Sequence, residues 1–259
     1  MKLGWLNAMF LLLMLSFQPF AASEPLPILE WCLDDLPEHH HYPDQGQPYG
    51  PTVDFMQEVA KVAGFKLRFS PNTPFARCLR LMAQGKTDLM VRLNSNPERE
   101  KVMFMLPYAL ANPEVLVIYK DSPDIQTVAE LNRLNLMVIR GYTYNSNTIN
   151  VVAKHPRSIE VSSLEAGLNM LMVNRGDAIV TTAEYALSIT NSMPEFHQQF
   201  KLASLVFQEE DARYIHLAFS KASPHVHLKE QIAKAIATIL ADDGVYQSFH
   251  PLSVSPDHP

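Results

Sequence analysis

Cysteine, basic charge and long apolar runs are all scarce in this chain. Only two cysteines occur among its 259 residues, Cys32 and Cys78. Neither belongs to a CxxC motif nor stands at zinc-ligand spacing from histidine, which argues against a metal or catalytic thiol. Lys and Arg total 21 against 27 Asp and Glu, giving a formal net charge of −6. Nucleic-acid binders show clustered Lys and Arg, and no such cluster is found here. No uninterrupted apolar run reaches the ~18 residues that a membrane span requires. Gly-x-Ser-x-Gly, HExxH and P-loop signatures are absent, so no catalytic motif stands out. Internal repeats are absent too, and the biased stretches are a triplet, His39-His40-His41, and a polar tail, Ser253 to Pro259.

The N-terminus has the make-up of an export signal. Lys2 gives a positive start, Phe10 to Phe17 (FLLLMLSF) lies in an apolar stretch, and Ala21, Ala22 and Ser23 offer a cleavage site. Residues 1–23 therefore read as a signal peptide, too short in its apolar part to be a good membrane anchor. No cysteine follows the apolar stretch, which argues against a lipid anchor. The mature chain, about 237 residues, is expected to be exported, soluble and built as one large or two modest lobes.

In an oxidising compartment a lone cysteine pair reads as a bridge, with two buried free thiols as the alternative. Cys32 ends the first expected strand, and Cys78 lies in the helix before a strand at 87–91. Those elements are neighbours if the strands are parallel.

Strands and helices alternate along the chain. Strands are expected at 26–33, 65–69, 87–91, 115–119, 136–139, near 159, and at 177–180 and 214–219. Helices are expected at 54–63, 75–84, through about 154 after a turn at Gly141, and at 163–174, 183–189 and 225–241. Phe55, Val59 and Val62 share a face of the first helix, which Gly64 stops. Leu228, Ile232, Ala235, Ile236 and Ile239 share a face of the last. Ser162 or Ser163 is the expected cap of the helix at 163–174. Repeated β-α-β units imply parallel sheets covered by helices. The pattern restarts near residue 116, with segments 113–120 and 210–220 as candidate crossings between two lobes. Ligands of such sheets sit beyond the carboxyl ends of strands.

One segment carries most of the functional information: Gly85 to Tyr108, GKTDLMVRLNSNPEREKVMFMLPY. It places Arg99 where an apolar strand gives way to a helical turn, and a guanidinium can hold a carboxylate through two parallel hydrogen bonds. An exposed, solvated arginine is the plainer reading of that residue alone. Around it stand Gly50 to Ala60 (GPTVDFMQEVA), Pro74 to Leu79 (PFARCL), Pro97-Glu98-Arg99, Pro107-Tyr108 and Gly176-Asp177-Ala178. In order and spacing this resembles the bacterial extracellular solute-binding proteins of family 3, the amino-acid-type binding proteins of ABC transport systems. The resemblance covers nearly all of the mature chain. It implies an α/β type II periplasmic binding fold, two lobes joined by a two-strand hinge with a ligand cleft between them. Residues 24–115 would form the first part of lobe 1, residues 116–211 lobe 2, and residues 212–259 the return to lobe 1. Trp31-Cys32 paired with PFARCL also resembles a subgroup carrying a matching cysteine pair.

The resemblance implies ligand-binding roles residue by residue. Arg99 matches the arginine that grips the ligand carboxylate, with Arg92, Asn94 and Asn96 at neighbouring positions that usually hold small hydroxyl residues. Arg140-Gly141-Tyr142-Thr143 replaces a Gln-Gly-Thr segment, with a helix N-terminus expected to serve there as an anion site. Thr182 stands where an acid usually receives the ligand's ammonium group, leaving Glu184 or Asp35 as substitutes. Asp34 and Asp35 follow the first strand as either ligand contacts or a solvated turn. Tyr49 and Phe75 are candidate stacking walls, with core packing the alternative for Phe75. His39, His40 and His41 look metal-like, but adjacent residues cannot all face one ion. No metal and no cofactor is expected. The implied function is a monomeric periplasmic protein that captures a small carboxylate-containing solute, an amino acid or a related compound, for an ABC permease. A ligand-sensing module for a membrane sensor kinase and a small lyase are the alternatives.

Overall fold

The computed structural model describes residues 25–36, 39–207 and 213–242. The expected signal peptide and the polar tail lie outside them. Among the described residues no helix is long and apolar enough to cross a membrane.

In chain order the first group of elements is β1 (Ile28–Trp31), α1 (Pro51–Ala63), β2 (Lys66–Phe69), α2 (Phe75–Ala83), β3 (Leu89–Asn94), α3 (Pro97–Val102) and β4 (Met103–Leu110). The second group is β5 (Glu114–Tyr119), α4 (Val128–Leu131), β6 (Leu136–Ile139), α5 (Ser146–Lys154), β7 (Ser158–Val161), α6 (Leu164–Met172), β8 (Ala178–Thr182), α7 (Ala183–Ser192) and β9 (Phe200–Phe207). The chain then continues with β10 (Tyr214–Ser220) and α8 (Lys229–Leu240).

These form two five-stranded sheets, ordered β2-β1-β3-β10-β4 and β7-β6-β8-β5-β9. The chain passes from the first sheet to the second between Leu110 and Glu114, and β10 returns it to the first. Neither sheet is wholly parallel. β10 runs antiparallel to β3 and β4, and β5 runs antiparallel to β8 and β9. The β-α-β pattern holds for the other strands, where helical crossovers keep neighbours parallel. β5 and β10, the first strands after each crossing, are the ones that run against both of their neighbours. β9 (FKLASLVF) has no counterpart in the sequence reading, because it is an edge strand that leaves Leu202 and Val206 largely exposed.

Helices α1 and α8 pack on the first sheet. Their cluster includes Trp31, Phe55, Met56, Val59, Leu89, Phe219, Ile232 and Ile236. All five apolar residues expected on the inner face of the last helical segment are buried. Val62 is 45% exposed instead, because the buried stripe of α1 runs through Met56, Val59 and Ala63 and leaves Val62 at its margin.

Several motif residues prove architectural. Asp88 is buried and accepts hydrogen bonds from the Glu30 backbone N–H (2.7 Å) and the Ser223 hydroxyl, stitching β1 to the chain beyond β10. A Cβ on Gly85 would lie 2.5 Å from the Ala222 carbonyl oxygen, at a φ of 65° that already favours glycine. Tyr108 stacks on Phe55 at 4.9 Å. Asp177 accepts the backbone and side-chain N–H groups of Asn135. Cys32 and Cys78 form a disulfide that ties the end of β1 to α2.

Candidate functional site

The local sequence explains how Arg99 is delivered. The Asn96 side chain caps α3 by accepting the Arg99 backbone N–H at 2.8 Å, and Pro97 occupies the first helical turn. Arg99 is thereby set in the first turn with its side chain turned inward, 7% exposed. One guanidinium nitrogen donates to the Asn94 carbonyl and the other to the Gly141 carbonyl at 2.8 Å, so the group touches both lobes. The Phe75 ring lies 5.7 Å from its central carbon. Among the described residues no carboxylate pairs with it. Burial pushes the guanidinium down to about 10, with the neighbouring Tyr142 opposing. A buried cation held by neutral carbonyls is set to receive an anion.

A cavity of about 140 Å³ lies between the sheets, bordered by Arg99, Phe75, Tyr142, Tyr185, Asp34 and His40 among others. Direct bonds bridge its two sides. Asn94 donates to the Thr143 carbonyl at 2.8 Å, Asn96 to the Thr143 hydroxyl at 2.7 Å, and Arg92 to Glu184 at 3.2 Å. Arg92 has a φ of 59° and sits in a β-bulge, where Val91 and Arg92 on β3 face only Leu217 on β10. The extra residue re-aims its side chain across the cleft.

The expected anion site at the second lobe's helix is already taken. α5 begins at Ser146, not at Thr143, and the Asn145 N–H donates to both oxygens of Glu114 at 3.0 Å. The Thr148 hydroxyl (2.7 Å) and Arg213 (3.1 Å) complete the shell of this buried carboxylate. An internal acid therefore stands at the helix start and holds its cap residue, and the Gly141 carbonyl accepts from Arg99. Burial raises the hydroxyls of Tyr142 and Tyr185, the latter to about 12, so both stay neutral donors. Their rings stack at 6.2 Å.

The sequence profile of the bacterial extracellular solute-binding proteins, family 3, matches residues 31–250. The chain belongs to that family. No curated protein sequence matches it. Among solved structures, an ancestral arginine-binding protein bound to arginine superimposes with a TM-score of 0.71 at 22% identity, covering 86% of this chain and 96% of the other. An amino acid ABC transporter substrate-binding protein from Streptococcus pneumoniae, bound to L-arginine, gives 0.69 at 21% identity, with 86% and 91% covered. A histidine kinase sensor domain with similarity to periplasmic binding proteins gives 0.72 at 15%, with 87% and 94% covered. These likenesses agree with the type II periplasmic binding fold. The matches are to binding proteins rather than to enzymes.

In this solute-binding protein the residues singled out from sequence fall into three groups. Arg99, Arg92, Asn94, Phe75, Tyr142, Thr143 and Thr182 border the cavity. Glu184 lies behind Arg92, one of its oxygens held by Arg92 and by Asn112 at 2.8 Å, with the His39 ring nitrogen 3.3 Å from the other. Asp35 and Tyr49 stand outside: Asp35 accepts the Tyr42 N–H, and Tyr49 is 57% exposed beside the His41 ring. Thr182 caps α7 by accepting the Tyr185 N–H.

Sequence reasoning passed over His39, His40, Glu114, Thr181 and Tyr185 as cavity residues. Backbone bridges Leu36 to His40 and His41 to Tyr49 fold the histidine triplet into a small turn, with His39 and His40 buried and His41 part-exposed. Gly50 permits the fold-back, since a Cβ there would lie 2.9 Å from the His39 carbonyl oxygen. Among the described residues no group of three or more His, Cys, Asp or Glu could hold a metal ion.

Asp34 borders the cavity and rises from an ordinary value of 3.8 to about 6. Loss of water drives the shift; its own N–H opposes it, Asp35 adds to it and the Phe75 N–H opposes it. The native carboxyl keeps its proton between about pH 4 and 6, where the unfolded chain has released its own. Folding stability from this group therefore falls as pH rises through that window. Asp34→Asn is expected to stabilise the protein more at pH 7.5 than at pH 4.5 in urea unfolding. An equal gain at both values would show that Asp34 is not desolvated.

Proposed function

We propose that this protein is exported to the periplasm, captures a small carboxylate-bearing solute and delivers it to an ABC importer without altering it. Arg99 is the observation that carries the reading. It is a buried guanidinium without a carboxylate partner among the described residues, facing a cavity at the meeting of two lobes. Two of its N–H groups meet carbonyls, and arginine has five to offer. Affinity would come from charge-assisted hydrogen bonds formed out of water as the lobes close. The likeness to a histidine kinase sensor domain supports a second reading, in which the protein presents the same ligand to a membrane sensor. The lyase alternative loses support, because Glu184 is tied up by Arg92 and Asn112 and Asp35 stands outside the cavity.

Thermal-shift screening of the purified protein with amino acids, organic acids and short peptides tests the proposal. A ligand at one hundred times its Kd stabilises by ~2.7 kcal/mol, which for a chain of this size raises Tm by roughly 5–10 °C. The hit should be recovered chemically unchanged after incubation. If no carboxylate raises Tm, the proposal fails.

A further inference from the structure

The cavity holds a second set of polar atoms that the fold leaves open. Both ring nitrogens of His40, the hydroxyl of Thr181 and the side-chain oxygen of Asn94 are buried with no hydrogen-bond partner among the described residues. All three residues border the cavity, and they come from three places: the turn after β1, β8 in the second lobe and β3 in the first. His40 is 3% exposed, with the Trp31 ring edge-on at 5.5 Å. Buried polar groups are nearly always paired, so a cluster of open ones in a cavity points to a ligand that completes them.

The chemistry of the cluster is neutral. Burial lowers His40 to about 3, with Arg92 and His41 adding to the effect. The nearby Asp34 carbonyl opposes it without meeting the geometry of a hydrogen bond. A neutral imidazole offers one donor and one acceptor, the Thr181 hydroxyl can donate or accept, and the Asn94 side-chain oxygen only accepts. An ammonium group, in contrast, needs a carboxylate when buried. The acids bordering the cavity are Asp34 and Glu114. Glu114 is fully engaged by Asn145, Thr148 and Arg213, which leaves Asp34, raised to about 6 by burial and without an ion pair among the described residues, as the one bordering acid that competes for an ammonium. Glu184, behind them, is spent on Arg92 and Asn112.

We propose that the ligand's second polar group is an uncharged hydroxyl that donates to the Asn94 side-chain oxygen and accepts from His40 or Thr181, so that the protein prefers hydroxy carboxylic acids over the matching amino acids. The inference rests on the carboxylate reading of Arg99 and names the class of solute. Size agrees with it: a cavity near 150 Å³ admits a molecule about as large as benzene, so the 140 Å³ found here suits a short-chain acid.

Calorimetry of the wild-type protein against matched sets tests this: glycolate, glyoxylate and glycine, then lactate, pyruvate and alanine, then the branched-chain equivalents. The hydroxy member of at least one set should bind ten-fold or more tighter than its amino partner. His40→Phe should erase that ratio, and His40→Gln, which keeps a neutral donor and acceptor, should retain most of it. Amino acids binding as tightly as their hydroxy partners, or tighter, would overturn the inference while leaving Arg99 as the carboxylate clamp; loss of their binding in Asp34→Asn would then assign the ammonium to Asp34. If no acid of any set binds and no other carboxylate does, the Arg99 reading itself falls, and this inference with it.

Discussion

Arg99→Ala is expected to weaken binding of the carboxylate ligand by 100-fold or more, with little change in the fold. Truncating one side of a buried, hydrogen-bonded charge pair costs about 2–5 kcal/mol, and 1.4 kcal/mol is a factor of ten. The lower end of that range already exceeds ten-fold, and the fork geometry of arginine places this site above it. Arg99→Lys should fall between, because the ammonium keeps the charge but loses the planar pair of donors. The ligand-free protein should tolerate either change. Arg99 is buried against carbonyls and lowered to about 10 by desolvation, so its charge adds little to the closed fold. Calorimetry gives the affinity and circular dichroism melts give the stability. Unchanged affinity in Arg99→Ala would remove this residue from the site, whereas a collapse of the melt would make it a structural cation.

How much of this was legible in advance depended on whether the determining contact was local. Asn96-Pro97 start α3 within three residues of Arg99, so the placement of that side chain follows from a short stretch of chain. The inner face of α8 and the stop at Gly64 are local in the same way. Glu184 was read as a free acid because nothing near it in sequence says otherwise. Its partners Arg92 and Asn112 lie 92 and 72 residues away, and the bulge that aims Arg92 exists only once β10 pairs with β3. The same holds for Glu114, which takes the start of α5 from 31 residues away and so cancels the anion site expected beyond Gly141. The histidine triplet is the sharpest case. Its composition looks metal-like and says nothing of orientation, whereas two backbone bridges turn two members inward and one outward. Periodicity describes faces of regular elements; it is silent about a turn whose pairing is set by Gly50 and Tyr49.

Replacing both Cys32 and Cys78 by alanine is expected to lower Tm by roughly 8–16 °C. The bridge spans a sequence separation of 46. In the chain-entropy model, opening a loop of that length costs about 4 kcal/mol, and each 1 kcal/mol moves Tm by roughly 2–4 °C in a chain of this size. The double variant is the right test, since a single substitution leaves a thiol free for exchange with other molecules. The effect should reach the cavity as well. Cys32 immediately precedes Leu33 and Asp34, and Cys78 lies one helical turn after Phe75, the ring beneath the Arg99 guanidinium. Both cysteines border the cavity and are buried with Met82, Met90 and Leu93. The bond therefore fixes the Asp34 turn against the start of α2, and its loss frees two cavity walls to move apart. Ligand affinity in the double variant should fall about ten-fold, less than in Arg99→Ala, because the clamp itself is intact. Differential scanning calorimetry with and without reductant checks the first effect, and titration of the folded variant below its Tm checks the second. A Tm within 2 °C of wild type would mean that the neighbouring strands hold β1 to α2 unaided. A lower Tm with unchanged affinity would confine the bridge to stability and separate it from the cavity it borders.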